Sequence, residues 1–139
     1  MEELVNVLIS TYNGEKYIKD QIDSILGQTY PNIRIYVRDD GSSDNTCNIL
    51  KEYEKAGKIV LFRGDNVKWG KSFLTLLKKA ETGSYWAFSD QDDVWLPDKI
   101  KWAVEWMKKQ DQTKPLLFHS SYKLMSADME NELGICTAP

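Results

Sequence analysis

Four times in succession a short run of β-branched and aromatic residues gives way to a longer stretch with helical periodicity. That alternation confines the chain to a parallel sheet wrapped by helices. Leu4-Val5-Asn6-Val7-Leu8-Ile9 is nearly continuous in apolar character, as a strand covered on both faces requires. From Glu15 the period lengthens, with Ile18, Ile22 and Ile25 on one stripe and Lys16, Lys19, Asp20 and Asp23 away from it; Gln28 to Asn32 closes that helix. Ile33 to Val37 alternates into a second strand, after which Ser43 or Asp44 can cap a helix whose stripe is Ile49, Leu50 and Tyr53 and whose stop is Gly57. Ile59 to Phe62 reads as a third strand, followed by a helix with Phe73, Leu76, Leu77 and Ala80 facing inward and Gly83 at its end. Tyr85 to Phe88 is the fourth strand, and Pro97 opens a helix with Ile100, Ala103, Val104 and Met107 on its stripe. Leu116-Leu117-Phe118 and Tyr122 to Met125 read as further strands, with a turn near Asp128 to Asn131. The expected fold is an open, mainly parallel α/β sheet with helices on both faces, and 139 residues are one domain by length.

Composition narrows the partners. A net charge of −3 argues against nucleic acid. The acidic start Met1-Glu2-Glu3-Leu4 has neither the basic end nor the cleavage site of a signal peptide, and no stretch has the apolar length of a membrane span. The expectation is a cytoplasmic protein. Cys47 and Cys136 lie far apart without a CxxC pair, and with His119 as the one histidine neither a zinc site nor a disulfide framework follows.

Three of the four strands end in clusters too polar for a core: Ser10 to Asn13, Asp39 to Asp44, and Ser89 to Asp93. Parallel strands point their carboxyl ends to one edge, so these loops are expected to meet in one crevice, where such folds bind ligands. The third cluster is the sharpest. Asp90, Asp92 and Asp93 follow Tyr85-Trp86-Ala87-Phe88 directly, and carboxylates so spaced repel unless water, donors or a cation offsets them. Mg²⁺ or Mn²⁺ would take one or two of them and leave positions for water and a phosphate. A solvated acidic turn before a helix N-terminus is the alternative. Tyr12 could stack on a flat ring, and Asp39 or Asp40 could accept from a base N–H or a ribose hydroxyl. Taken together, the parts suit a nucleoside diphosphate.

In order along the chain, Val7 to Ile18, Ser24 to Tyr30, Arg38-Asp39-Asp40-Gly41-Ser42-Ser43-Asp44-Asn45-Thr46 and Asp90-Gln91-Asp92-Asp93-Val94-Trp95-Leu96-Pro97-Asp98-Lys99 resemble the nucleotide-binding half of the inverting family 2 glycosyltransferases with the GT-A fold. The last motif is most similar to bacterial rhamnosyltransferase-type enzymes of cell-surface polysaccharide synthesis. The resemblance implies that Ser10, Thr11, Tyr12, Asn13 and Glu15 line the nucleoside pocket and that Asp39 or Asp40 hydrogen-bonds base or ribose. It implies that Asp92 is the principal ligand of Mn²⁺ or Mg²⁺ on the diphosphate, with Asp90 supporting it or touching the ribose, that Gln91 belongs to the nucleotide-binding set, and that Lys71 approaches the diphosphate. The donor is then a UDP-, dTDP- or GDP-linked sugar and the acceptor a glycan or a lipid-linked saccharide, which leaves open peripheral association with the inner face of the membrane.

In this family the base that takes the acceptor's proton is an acidic residue beyond the metal motif, in an acceptor half. After His119 only a short segment remains, in which Asp128, Glu130 and Glu132 sit at an expected hairpin turn. The chain is therefore expected to be the donor-binding N-terminal part of a longer enzyme, holding nucleotide and metal but poor at transfer. Two alternatives stand beside this one: a dehalogenase-type Mg²⁺ phosphatase with Asp90 as nucleophile and Asp92 as acid/base, and a non-catalytic nucleotide-binding module.

Overall fold

The computed structural model describes residues 2–137. Two compact units divide the chain at Met1–Lys99 and Ile100–Pro139. The first contains strands β1 (Val5–Thr11), β2 (Ile33–Asp39), β3 (Val60–Arg63) and β4 (Tyr85–Ser89), with helices α1 (Ile18–Leu26), α2 (Thr46–Lys55) and α3 (Lys68–Lys79) between them. All four strands run parallel in the order β3-β2-β1-β4. The order reverses at β1, so the loops leaving β1 and β4 diverge there and open the crevice such sheets use for ligands.

The pleat assigns each helix to a face. Leu8 pairs with Tyr36 and Phe88 across the ladders, and these three point to the side where Leu76 and Phe73 of α3 pack. Phe73 meets Phe88 edge to face at 5.4 Å. On the opposite side Gln21 of α1 donates to Ser89 and Cys47 of α2 donates to Asp39. Helices therefore cover both faces, as the alternation requires. Ile18, Ile22 and Ile25 of α1 are buried as their spacing predicts.

Other expectations are refined or corrected. β1 and β2 each run two residues further than their apolar runs, because Thr11 and Asp39 stay in register and the threonine hydroxyl donates to the aspartate at 3.1 Å. The N-cap of α2 is Asn45 rather than Ser43 or Asp44, and it makes no side-chain cap bond; Asp44, one residue earlier, accepts the Thr46 N–H at 3.0 Å, and Gly57 follows the helix at φ +68, the left-handed stop a glycine tolerates. Leu77 does not face inward: it is 37% exposed, and the buried positions of α3 are Leu76 and Ser72.

In the second unit, α4 (Lys99–Lys108) precedes an antiparallel hairpin of β5 (Tyr122–Met125) and β6 (Glu132–Cys136). The run Leu116-Leu117-Phe118 is not a strand, since no described residue pairs with it in a ladder; Phe118 instead meets the Trp106 ring at 5.7 Å. No helix among the described residues is long and apolar enough to cross a membrane.

Candidate active site

At the carboxyl edge of the sheet the polar loops are laced to one another. Asp39 is 2% exposed, and its two oxygens accept from the Thr11 hydroxyl, the Gly41 and Ser42 N–H groups at 3.2 and 2.9 Å, the Ser42 hydroxyl at 2.5 Å and the Cys47 thiol at 3.2 Å. Burial pushes its carboxyl up, but the donors from Ser42, Cys47 and Thr11 outweigh that and hold it below the usual aspartate range. Gly41 makes the turn possible at φ +85. Five donors converge on the carboxylate of Asp39 and together hold the turn.

Asp40, 3% exposed, looks the other way. It pairs with the buried Arg38 guanidinium and accepts the Val67 and Lys68 N–H groups at 2.9 Å each, which caps the start of α3. Arg38 also donates to Ser72 and to the Asp65 carbonyl, and Ser72 accepts from Ser10 at 2.6 Å. The chain Ser10–Ser72–Arg38–Asp40 thus fixes the helix that carries Lys71. A depression of about 290 Å³ beside it is lined by Arg38, Val67, Lys71, Leu74, Thr75 and Lys78.

Asn13 and Glu15 are engaged in the same lacing. Asn13 accepts from the Ser43 N–H at 2.8 Å and its own N–H donates to Ser42, while Glu15 and Asp44 exchange bonds across the loops through the Asn45 and Glu15 N–H groups. The β1 and β2 loops are one unit.

The β4 loop is tied down at two ends. Beyond the acidic cluster, the Trp95 N–H donates to Ser24 at 3.0 Å, Gln28 donates to the Leu96 carbonyl at 2.8 Å, and Thr29 donates from its backbone to the Pro97 carbonyl and from its hydroxyl to Asp98. Inside the cluster, Gln91 reaches over to the β1 loop. Its Oε1 accepts the Tyr12 N–H at 2.9 Å and its Nε2 donates to the Tyr12 carbonyl at 3.1 Å. A Cβ on Gly14 would fall on Oε1 and within 2.8 Å of Cδ, so the glycine leaves the space the amide fills.

What remains unengaged is informative. Asp90 and Asp92 accept no hydrogen bond through their carboxylates from any described residue, and the Tyr12 ring is 49% exposed. Burial and the charges of Asp90 and Asp92 push the Asp93 carboxyl up, against the pull of Lys99. Carboxylate oxygens, the donors Asp90 and Asp92 carry, are the ligand type a hard divalent cation takes. Among the described residues no three or more His, Cys, Asp or Glu side chains are grouped to enclose an ion, so a cation here would take its other ligands from water and from its anion.

Sequence reading named Asp90, Asp92, Tyr12 and Lys71, and the structure places all four on loops or helix starts at the carboxyl edge. It did not single out Arg38 or Ser72, whose burial depends on partners far along the chain and leaves no local pattern.

Comparison with known proteins bears on this arrangement. The family model for glycosyl transferase family 2 matches residues 6–123. The dTDP-rhamnosyl transferase RfbG of Shigella flexneri is 40% identical over 103 residues, spanning 70% of this chain and 36% of RfbG. A glucosyltransferase of Escherichia coli, WfaP, named as transferring from UDP-Glc to α-D-GlcNAc-diphosphoundecaprenol, is 32% identical over 120 residues, spanning 86% of this chain and 46% of WfaP. Among solved structures, the mannosyltransferase PcManGT of Pyrobaculum calidifontis in complex with GDP-Man and Mn²⁺ superposes with a TM-score of 0.66 at 25% identity, over 77% of this chain and 33% of that one. The chain spans less than half the length of each.

Proposed function

The chain belongs to glycosyl transferase family 2, and from that premise we propose that its β1/β4 crevice holds the diphosphate of a nucleotide-sugar donor together with a divalent cation. One observation carries the reading. Glu15, Asp39, Asp40 and Asp44 are all engaged by neighbouring residues, whereas Asp90 and Asp92 are left to face solvent at the strand tip. The dehalogenase-type alternative loses its footing, because the aspartates follow the fourth strand rather than the first and the family match is to transferases.

In this reading Asp92 is the main carboxylate on the cation and Asp90 supports it or meets the ribose. The Tyr12 ring stacks on the base, and Lys71, at the start of α3, approaches the diphosphate. Ser10, Thr11, Asn13, Glu15, Asp39, Asp40 and Gln91 act by holding the loops in shape. The cation, supported by the Mn²⁺ in the PcManGT complex, supplies a Lewis acid that stabilises charge on the leaving diphosphate. An acceptor hydroxyl attacks the anomeric carbon from the opposite face, the bond to the diphosphate breaks, and the configuration inverts. The hydroxyl proton passes to a base, which we place in an acceptor half rather than among Asp128, Glu130 and Glu132. Likeness to RfbG favours a rhamnosyl or related hexosyl donor, and likeness to WfaP favours a lipid-linked saccharide acceptor in surface polysaccharide synthesis.

Calorimetric titration with UDP, dTDP and GDP, with and without Mn²⁺, tests the donor site. One nucleotide should bind at least about tenfold more weakly without metal, a loss Asp92→Ala reproduces as expected for removal of a charge-assisted contact. Equal binding in all conditions, or none by folded protein, would refute the reading.

A further inference from the structure

We infer that Gln91 is a positioning residue: its side-chain amide clasps the Tyr12 backbone and thereby fixes the two flanking aspartates relative to the loop that carries the Tyr12 ring. The inference rests on the donor site proposed above. An amide in the middle of an acidic triplet invites a role toward ligand, but both functional ends of Gln91 are occupied. Oε1 takes the Tyr12 N–H at 2.9 Å and Nε2 gives to the Tyr12 carbonyl at 3.1 Å, so one amide satisfies both backbone groups of Tyr12. The β1 and β4 ladder ends at Ile9↔Ser89, so the clasp joins the two loops by a side chain where the two backbones have parted.

The spacing gives the clasp its consequence. Asp90 and Asp92 lie one residue to either side of Gln91, and neither carboxylate has a donor of its own among the described residues. Nothing but the backbone holds them, and that backbone is pinned at Gln91 on one side and at Trp95 on the other, through its N–H to Ser24. A ligand that stacks on Tyr12 and reaches a cation at Asp92 must touch both loops at once, so a fixed distance between the loops is preorganisation for that ligand.

Gly14 allows the clasp to be opened without altering Gln91. A methyl group there meets only the far end of the Gln91 side chain, and the Gly14 N–H keeps its bond to Thr46 at 2.8 Å. Gly14→Ala should therefore evict the amide and leave the fold in place.

The test measures nucleotide affinity with and without Mn²⁺ for the wild type, Gln91→Ala, Gly14→Ala and the double variant, and takes the ratio of the two affinities. Each single variant should lower that ratio about tenfold, the scale of two hydrogen bonds lost, with metal-free affinity nearly unchanged. The double variant should be no worse than either single one, because the methyl group has nothing to displace once the amide is gone. Gln91→Glu, which can accept from Tyr12 but not donate, should not restore the ratio. Additive losses, or equal losses with and without metal, would mean the amide serves the fold generally and would overturn the inference. A wild type that binds no nucleotide would overturn the donor site first, and the clasp's role with it. A wild type whose binding is metal-dependent but insensitive to Gln91→Ala would overturn the clasp alone.

Discussion

Asp39 shows how a side chain that reads as ligand chemistry also holds its own turn. The run Asp39-Asp40-Gly41-Ser42 invites a base or ribose partner, yet Asp39 accepts donors from Thr11, Gly41, Ser42 and Cys47. Burial and the charge of Asp39 also raise the Cys47 thiol, which keeps it protonated as a donor. Asp39→Asn should destabilise the fold by about 1–3 kcal/mol, since a buried amide cannot accept from all of these groups. Because the folded carboxyl titrates below its ordinary value, its stabilisation is complete above about pH 4 and is lost as pH falls through the lowered value. Urea denaturation as a function of pH should show the Asn variant's deficit at neutrality shrinking in acid; a deficit independent of pH would contradict this. That two adjacent aspartates turn to opposite faces of the sheet follows from the pleat, but what each one meets does not.

Helix α3 illustrates the same division between elements. Its apolar spacing located the helix, and Leu76 is buried as expected, yet its start is set by Asp40, just past the end of β2 and 28 residues earlier. Two N–H groups and the Arg38 guanidinium converge on that carboxylate. Asp40→Ala strands a buried cation and two helix-end donors together, and should cost about 3–5 kcal/mol. Arg38→Met should cost less, because Asp40 keeps the Val67 and Lys68 donors at a helix N-terminus that favours negative charge. Chemical denaturation of both variants gives the order, and the reverse order would mean that the ion pair, not the cap, dominates. The β4 loop was legible as an acidic cluster followed by Val94-Trp95-Leu96-Pro97, but its anchoring on Ser24, Gln28 and Thr29 was not, since those residues read only as the end of α1.

At the scale of the molecule, stability should be uneven. The central strand β1 is buried almost throughout and paired on both sides, whereas β5 and β6 form a two-stranded hairpin whose side chains are largely exposed. Isolated two-stranded hairpins are marginal in water. Hydrogen exchange should therefore release the amides of Tyr122–Met125 and Glu132–Cys136 well before those of Val5–Thr11. Equal protection would show that the hairpin shares the cooperative unit of the sheet. β6 escaped sequence reading because Gly134 interrupts a short alternation of Leu133 and Ile135, and the Ser126–Asn131 turn that pairs it with β5 depends on local bonds among Ser126, Asp128 and Asn131.

The sequence by itself determined the alternation of strands and helices, the shared edge where three polar loops meet, and the residue types available there, because hydrophobic period and turn chemistry are local properties. Only the tertiary structure decided which of those polar side chains are spent on each other. Asp40, Asn13, Glu15 and Gln91 find their donors on other loops and Asp39 adds Thr11 to those of its own turn, 28 to 79 residues away in the longest cases, while among the described residues Asp90 and Asp92 find none. A hydrogen bond is settled by where two groups come to lie, and that depends on the whole sheet being assembled.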